Sequence, residues 1–122
     1  MLFRSAIKAK KMDLAPPSIY QVDPPQATGI KENVTLTCRA RGSPVPKFTW
    51  ITPDGHFVNA TRSVYESFDG ESQATRWKKI QQDGSLLVVN TDVHDQGIYK
   101  CVAINALGKV EKEVNLTVRK GQ

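Results

Sequence analysis

Two cysteines, two histidines and two tryptophans are all that 122 residues contain of those types. The shortage excludes several kinds of chemistry. No Gly-rich phosphate loop and no His-Glu-x-x-His helix occurs, so phosphate transfer and zinc hydrolysis lack their usual frames. His56 and His94 stand far apart in the chain and make a poor metal site. Asp92 with Asp95 supplies too few oxygen ligands for calcium. The one candidate catalytic pair, His94 beside Asp95, sits at a corner where Asp95 more readily serves a turn or an ion pair with an arginine such as Arg76. No enzyme activity, cofactor or metal is expected. No apolar run approaches the roughly 20 residues that a membrane span needs, and Leu2–Ile7 is too short, and broken by Arg4, for a secretory signal.

Positive charge is unevenly placed. Of the formal net charge of +5, Arg4, Lys8, Lys10 and Lys11 supply +4 near the N-terminus, leaving 13 basic against 12 acidic residues. Residues 1–15 read as a disordered basic leader or linker, and residues 16–120 as a nearly neutral domain. Nucleic-acid binding would need basic clustering on the folded part. Lys78-Lys79 and Arg39 with Arg41 are short groups of the kind that solvated strand faces carry, so no nucleic acid is expected as a partner.

Apolar residues alternate with period two in Val34-x-Leu36-x-Cys38, Leu86-x-Val88 and Val114-x-Leu116-x-Val118, and helical periodicity is poor. Gly42-Ser43-Pro44, Pro53-Asp54-Gly55, Asp83-Gly84 and Leu107-Gly108 punctuate them as turns. The pattern predicts an all-β domain. Strands are expected over Ser18–Val22, Lys31–Arg41, Lys47–Ile51, a run through Leu86 and Val88, Gly97–Asn105 and Lys109–Arg119. Between Ile51 and Asp83 the pattern weakens. Ser63-Val64-Tyr65 and Arg76–Gln81 are strand candidates around a polar loop, Glu66–Gln73, expected to be mobile and exposed.

Trp50 follows Cys38 by twelve positions, and Asp95-Gln96-Gly97-Ile98-Tyr99-Lys100-Cys101 places a tyrosine two residues before the second cysteine. With Val34-Thr35-Leu36-Thr37-Cys38, Gly42-Ser43-Pro44-Val45-Pro46, Asp83-Gly84-Ser85-Leu86 and Asn105-x-x-Gly108, these residues make Ser18 to Arg119 resemble an I-set immunoglobulin domain. Trp50-Ile51-Thr52-Pro53-Asp54-Gly55 and Asp83-Gly84-Ser85-Leu86 look most like the immunoglobulin domain of leucine-rich-repeat cell-surface adhesion receptors. The resemblance implies an immunoglobulin-like β-sandwich of two antiparallel sheets with Greek-key connections. It also implies one inter-sheet disulfide, Cys38–Cys101, packed on Trp50, with Tyr99 and Asp95 at the turn into the second cysteine strand. Lys78 departs from the pattern by standing where an inward apolar residue is usual, so Trp77 and Ile80 are expected to carry that strand's packing.

Such a disulfide forms in the oxidising secretory route, and three N-glycosylation sequons agree: Asn33-Val34-Thr35, Asn59-Ala60-Thr61 and Asn115-Leu116-Thr117. Asn33 and Asn115 fall on outward strand positions and Asn59 in a loop. N-linked glycans and an extracellular location, at the cell surface or secreted, are expected, with no membrane insertion of this segment. Strand parity turns Ile51, Ile98, Lys100, Val102 and Glu111 outward on one sheet, where an apolar group ringed by charge suits a protein partner, homophilic or heterophilic. The expected function is an extracellular protein-binding, adhesion or receptor module of a larger multidomain protein that also orients its neighbours. The alternatives are a structural spacer of an intracellular muscle-type array, or a module of a secreted matrix or growth-factor-binding protein.

Overall fold

The computed structural model describes residues 13–67 and 75–120. Most of the basic leader and of the polar loop expected over Glu66–Gln73 lies outside the described residues. The strands are β1 (Ala15–Val22), β2 (Gln26–Gly29), β3 (Val34–Leu36), β4 (Cys38–Ser43), β5 (Lys47–Ile51), β6 (Phe57–Asn59), β7 (Val64–Ser67), β8 (Thr75–Ile80), β9 (Leu86–Val89), β10 (Gly97–Asn105) and β11 (Gly108–Arg119). One sheet runs β2-β11-β10-β5-β6 and a second β3-β9-β8-β7, and β1 pairs with β4, the strand that follows β3, in a separate two-stranded sheet. Neighbours such as β3 and β9, or β5 and β10, are far apart in sequence, which is the Greek-key crossing of a sandwich.

Three local results differ from the sequence expectation. The sheets are not antiparallel throughout, because β2 lies parallel to β11 at one edge. The chain reaches that edge by leaving β1 at Asp23-Pro24-Pro25, where prolines cannot continue a ladder. Second, the expected strand Lys31–Arg41 begins only at Val34 and divides at Thr37. Lys31 has φ of 64°, so it turns rather than extends. At Thr37 the N–H donates to the Asp23 carboxylate at 2.7 Å and the carbonyl accepts from Asp23 N–H at 3.2 Å. Third, β6 forms an edge beside β5 where a loop around Asn59 is expected.

The core is the space between the two inner faces. Leu36, Cys38, Trp50, Val58, Leu86, Val88, Tyr99, Cys101, Val114, Leu116 and Val118 fill it. Their alternation along β3–β4, β9 and β11 is the reason these segments are strands, since period-two side chains can bury one face only as extended backbone. Cys38 and Cys101 are joined across the sheets with a Cα–Cα distance of 6.6 Å. Beside them the Trp50 indole is fully buried and donates Nε1–H to the Gly84 carbonyl at 2.8 Å. Gly84 has φ of +92°, and a Cβ there would meet the Phe48 ring at 2.5 Å. The turn therefore requires glycine on two counts, backbone conformation and space.

Two stability predictions follow from this core. The disulfide closes a loop across a separation of 63 residues, so in the chain-entropy view it stabilises the fold by about 4 kcal/mol. Replacing both cysteines by alanine should lower the urea midpoint and raise the m-value, since the unlinked denatured chain exposes more surface; an equal midpoint and slope would show that the link adds nothing. Gly84→Ala should cost about 2 kcal/mol, since it combines a strained φ with displacement of Phe48, and thermal unfolding reads the loss directly.

Candidate interaction surface

The tyrosine corner supports the surface from beneath. Asp92 caps a single 3-10 turn, Val93–Asp95, and Asp95 returns a side-chain bond to the Asp92 N–H at 2.8 Å. The Tyr99 hydroxyl donates to the Asp95 carbonyl, fastening the start of β10 to that turn. Asp95 is itself 2% exposed. Its carboxylate accepts from Arg76 Nη2 at 2.9 Å, Arg76 Nε at 3.3 Å and Lys78 Nζ at 2.7 Å. The ion pair expected with Arg76 is present, and a second cation joins it.

Lys78 is therefore no member of a solvated strand face. It points inward at 5% exposure, opposite Val64 and Val88. Trp77, expected to take over the packing, is half-buried with Lys79 Nζ 5.7 Å from its ring centroid, while Ile80 does pack against the core. The strand keeps its register because Asp95 supplies the charge that a buried lysine needs. Burial pushes the Asp95 carboxyl upward, but hydrogen bonds from Arg76 and Lys78 outweigh it and hold the pKa below the ordinary 3.8.

Each of the two histidines stands beside a single carboxylate. His94 Nδ1 lies 2.6 Å from the Asp92 carboxylate and His56 Nδ1 lies 3.2 Å from that of Asp54, both on exposed side chains. Among the described residues, no three His, Cys, Asp or Glu gather where a metal could bind. Nor is any helix among them long and apolar enough to cross a membrane.

Register lays out the outer face of the β11-β10-β5-β6 sheet row by row. Ile98 stands opposite Asn115. In the next row Phe57, Ile51, Lys100 and Glu113 lie side by side, and beyond them Asn59, Thr49, Val102 and Glu111. Ile51 is half-buried and Ile98 is half-exposed. The expected apolar group is broken, however, because Val102 is only 5% exposed. Glu111, its direct neighbour, reaches Lys100 at 3.7 Å and Lys109 at 3.8 Å, one from each adjoining row. The valine is thus buried in a row flanked by paired charges rather than open to a partner. Parity puts Val102 on the same face as Lys100 but carries no information about its exposure.

Sequence reasoning also missed exposed apolar residues. Phe57 on β6 is 53% exposed. At the pole where Leu14 leads into β1, Val45, Ile104 and Leu107 are exposed as well. Asn105 ties that pole together, donating Nδ2–H to the carbonyls of Ala15 and Pro44 at 2.9 Å each. A groove of about 400 Å³ runs there between Pro44, Val45, Ile104 and Ala106. The sequons lie at Asn33, exposed with Oδ1 accepting from the Asn90 N–H at 3.0 Å; at Asn59, closing β6 rather than in a loop; and at Asn115, exposed on β11.

The family model described as the immunoglobulin I-set domain matches residues 17–118. The chain belongs to that family. Immunoglobulin superfamily member 10 of Homo sapiens is 38% identical to this I-set domain over 83 residues, 68% of this chain and 3% of that protein. Leucine-rich repeat and fibronectin type-III domain-containing protein 3 of Ailuropoda melanoleuca is 31% identical over 113 residues, 93% of this chain and 16% of that protein. The chain thus spans a small part of the curated relatives it matches. Among solved structures, the tandem Ig repeats of Dlar superpose with a TM-score of 0.66 at 28% identity, covering 88% of this chain and 50% of that one.

Breaking the buried charge cluster tests the role of Asp95. Asp95→Asn leaves two cations without their carboxylate and should cost about 3–5 kcal/mol. The lowered folded pKa also fixes the sign of the pH dependence. Stability from this group is fully present above 3.8 and is lost as pH falls through the folded value. Acid titration of the urea midpoint should show a shallower acid limb in the variant, with Asp54, Asp83 and Asp92 supplying the slope that persists. An unchanged limb would remove Asp95 from the acid response.

Proposed function

We propose that this I-set domain is an extracellular protein-recognition module within a larger multidomain protein, binding by surface and orienting its neighbours. The observation that carries the reading is the fully buried Cys38–Cys101 bridge, a crosslink that forms along the oxidising export route. Three sequons on accessible backbone support the same compartment, and the relatives, of which this chain spans a small share, support membership in a longer chain.

The recognition strip is the middle of the β11-β10-β5 face: half-buried Ile51 beside Lys100, Glu111 in the next row, and Ile98 toward the Asn115 end. Lys100 and Glu111 are both part-exposed and already paired, so they offer fixed opposite charges that set orientation more than affinity. Val102, only 5% exposed, offers little area for direct contact. The apolar pole around Val45, Ile104 and Leu107 serves the second task, facing the segment that leads into β1. A protein partner, another copy of the domain or a different chain, fits this chemistry.

Expression of the full chain in secretory cells tests the compartment. The product should carry no titratable thiol and should lose mass on N-glycosidase treatment. A protein with free thiols, unglycosylated and equally heat-stable in strong reductant, would instead favour the intracellular spacer. For the strip, captured cell-surface protein should be lost with Ile51→Asp and with Lys100→Glu while thermal stability stays near the parent value. Equal capture by parent and variants retires the surface.

A further inference from the structure

We propose that Asn59 carries an N-linked glycan whose innermost N-acetylglucosamine is seated on the ring of Phe57, making the sugar a packed part of the domain. The inference rests on the extracellular reading but goes beyond it, to one site and one contact. On β6 the side chains alternate: Val58 is fully buried, so Phe57 and Asn59 share the outward face. The strand is an edge with only β5 beside it, and Phe57 stays 53% exposed there. A large aromatic left half-open on a three-residue edge strand has nothing among the described residues to cover its open half. The face of a hexose that carries axial C–H groups is apolar and flat, and it matches an aromatic ring in size.

The turn after Asn59 holds the acceptor ready. Asn59 and Arg62 exchange backbone hydrogen bonds at 3.0 and 3.1 Å, closing a tight turn over the sequon. Within it the Asn59 Oδ1 accepts from both the N–H and the hydroxyl of Thr61, each at 3.0 Å. These two bonds fix the amide by its oxygen and leave Nδ2, the atom that takes the sugar, without a hydrogen-bond partner among the described residues. In the transfer, Nδ2 bonds to the anomeric carbon of a lipid-pyrophosphate-linked oligosaccharide. The bond from that carbon to the pyrophosphate oxygen breaks, the lipid pyrophosphate leaves, and one amide proton passes to a base of the transferring enzyme. The other sequons lack this arrangement. Two positions before Asn33 and Asn115 stand Lys31 and Glu113, and Asn33 Oδ1 is engaged by Asn90 instead.

Glycopeptide mass spectrometry of the full chain from secretory cells reads occupancy first, and Asn59 should be filled. Occupancy at Asn33 or Asn115 with Asn59 empty overturns the assignment but leaves the extracellular reading standing, whereas three empty sequons overturn both. Seating is read next in a chain carrying Asn33→Gln and Asn115→Gln, its glycan trimmed to one sugar. That sugar should raise the melting temperature by about 4 °C over Asn59→Gln, and the increment should vanish in the Phe57→Thr background. Equal increments in both backgrounds overturn the seat. In the chain with Phe57 intact, NMR should show through-space contacts between the sugar ring protons and the Phe57 ring, and their absence also overturns it.

Discussion

Two sheets can be held face to face only if something resists their sliding, and in this domain that resistance gathers at one point. Cys38 on β4 is joined to Cys101 on β10, and the buried Trp50 indole lies alongside. The indole is not free to rotate, because its N–H is committed to the carbonyl of Gly84 in the turn before β9. That turn passes so close to Phe48, two residues before Trp50 on the same face of β5, that a Cβ at Gly84 would strike its ring. A covalent link, a packed ring and one buried hydrogen bond therefore fix the relative placement of β4, β5, β9 and β10. Every outward side chain on β5 and β10 inherits its position from that arrangement.

The buried charges on the opposite sheet follow a different logic. Arg76 and Lys78 both turn inward on β8, where a sandwich usually stores apolar residues, and both meet Asp95. A pair of cations sharing one carboxylate is costly to desolvate, and apolar replacements are often as stable. What the cluster supplies here is position. It ties β8 to the 3-10 turn whose carbonyl also receives the Tyr99 hydroxyl, so the strand register and the corner are set by the same carboxylate. Slipping β8 by one residue would turn Trp77 and Lys79 inward and leave Asp95 unpaired.

Much of this was legible from the residues. The strands Lys47–Ile51 and Gly97–Asn105 have the bounds that their turn signals imply, and the role of Asp95 was readable from its position before Tyr99. The register of β8 was not, because an inward lysine contradicts hydrophobic patterning unless its partner, 17 residues away, is known to arrive. β6 was missed for a related reason. Three residues are too few to establish a period, although the sequence Phe57-Val58-Asn59 already alternates once Val58 is seen to be buried. The surface was the least legible part, since parity assigns a side and not an exposure.

Alternation and turn residues by themselves determined the all-β class, and the Cys–Trp–Tyr–Cys set carried the likeness to I-set domains that implied the crosslink, because these are properties of the chain read locally. Tertiary structure alone decided which outward residues meet solvent. Val102 is buried beside the paired Glu111, while Phe57 and Asn59 come to share one edge opposite Ile51 and Thr49. The reason is physical: solvent exposure belongs to a neighbourhood, and the neighbours that cover or uncover a strand residue come from other strands whose register only the folded sheet supplies.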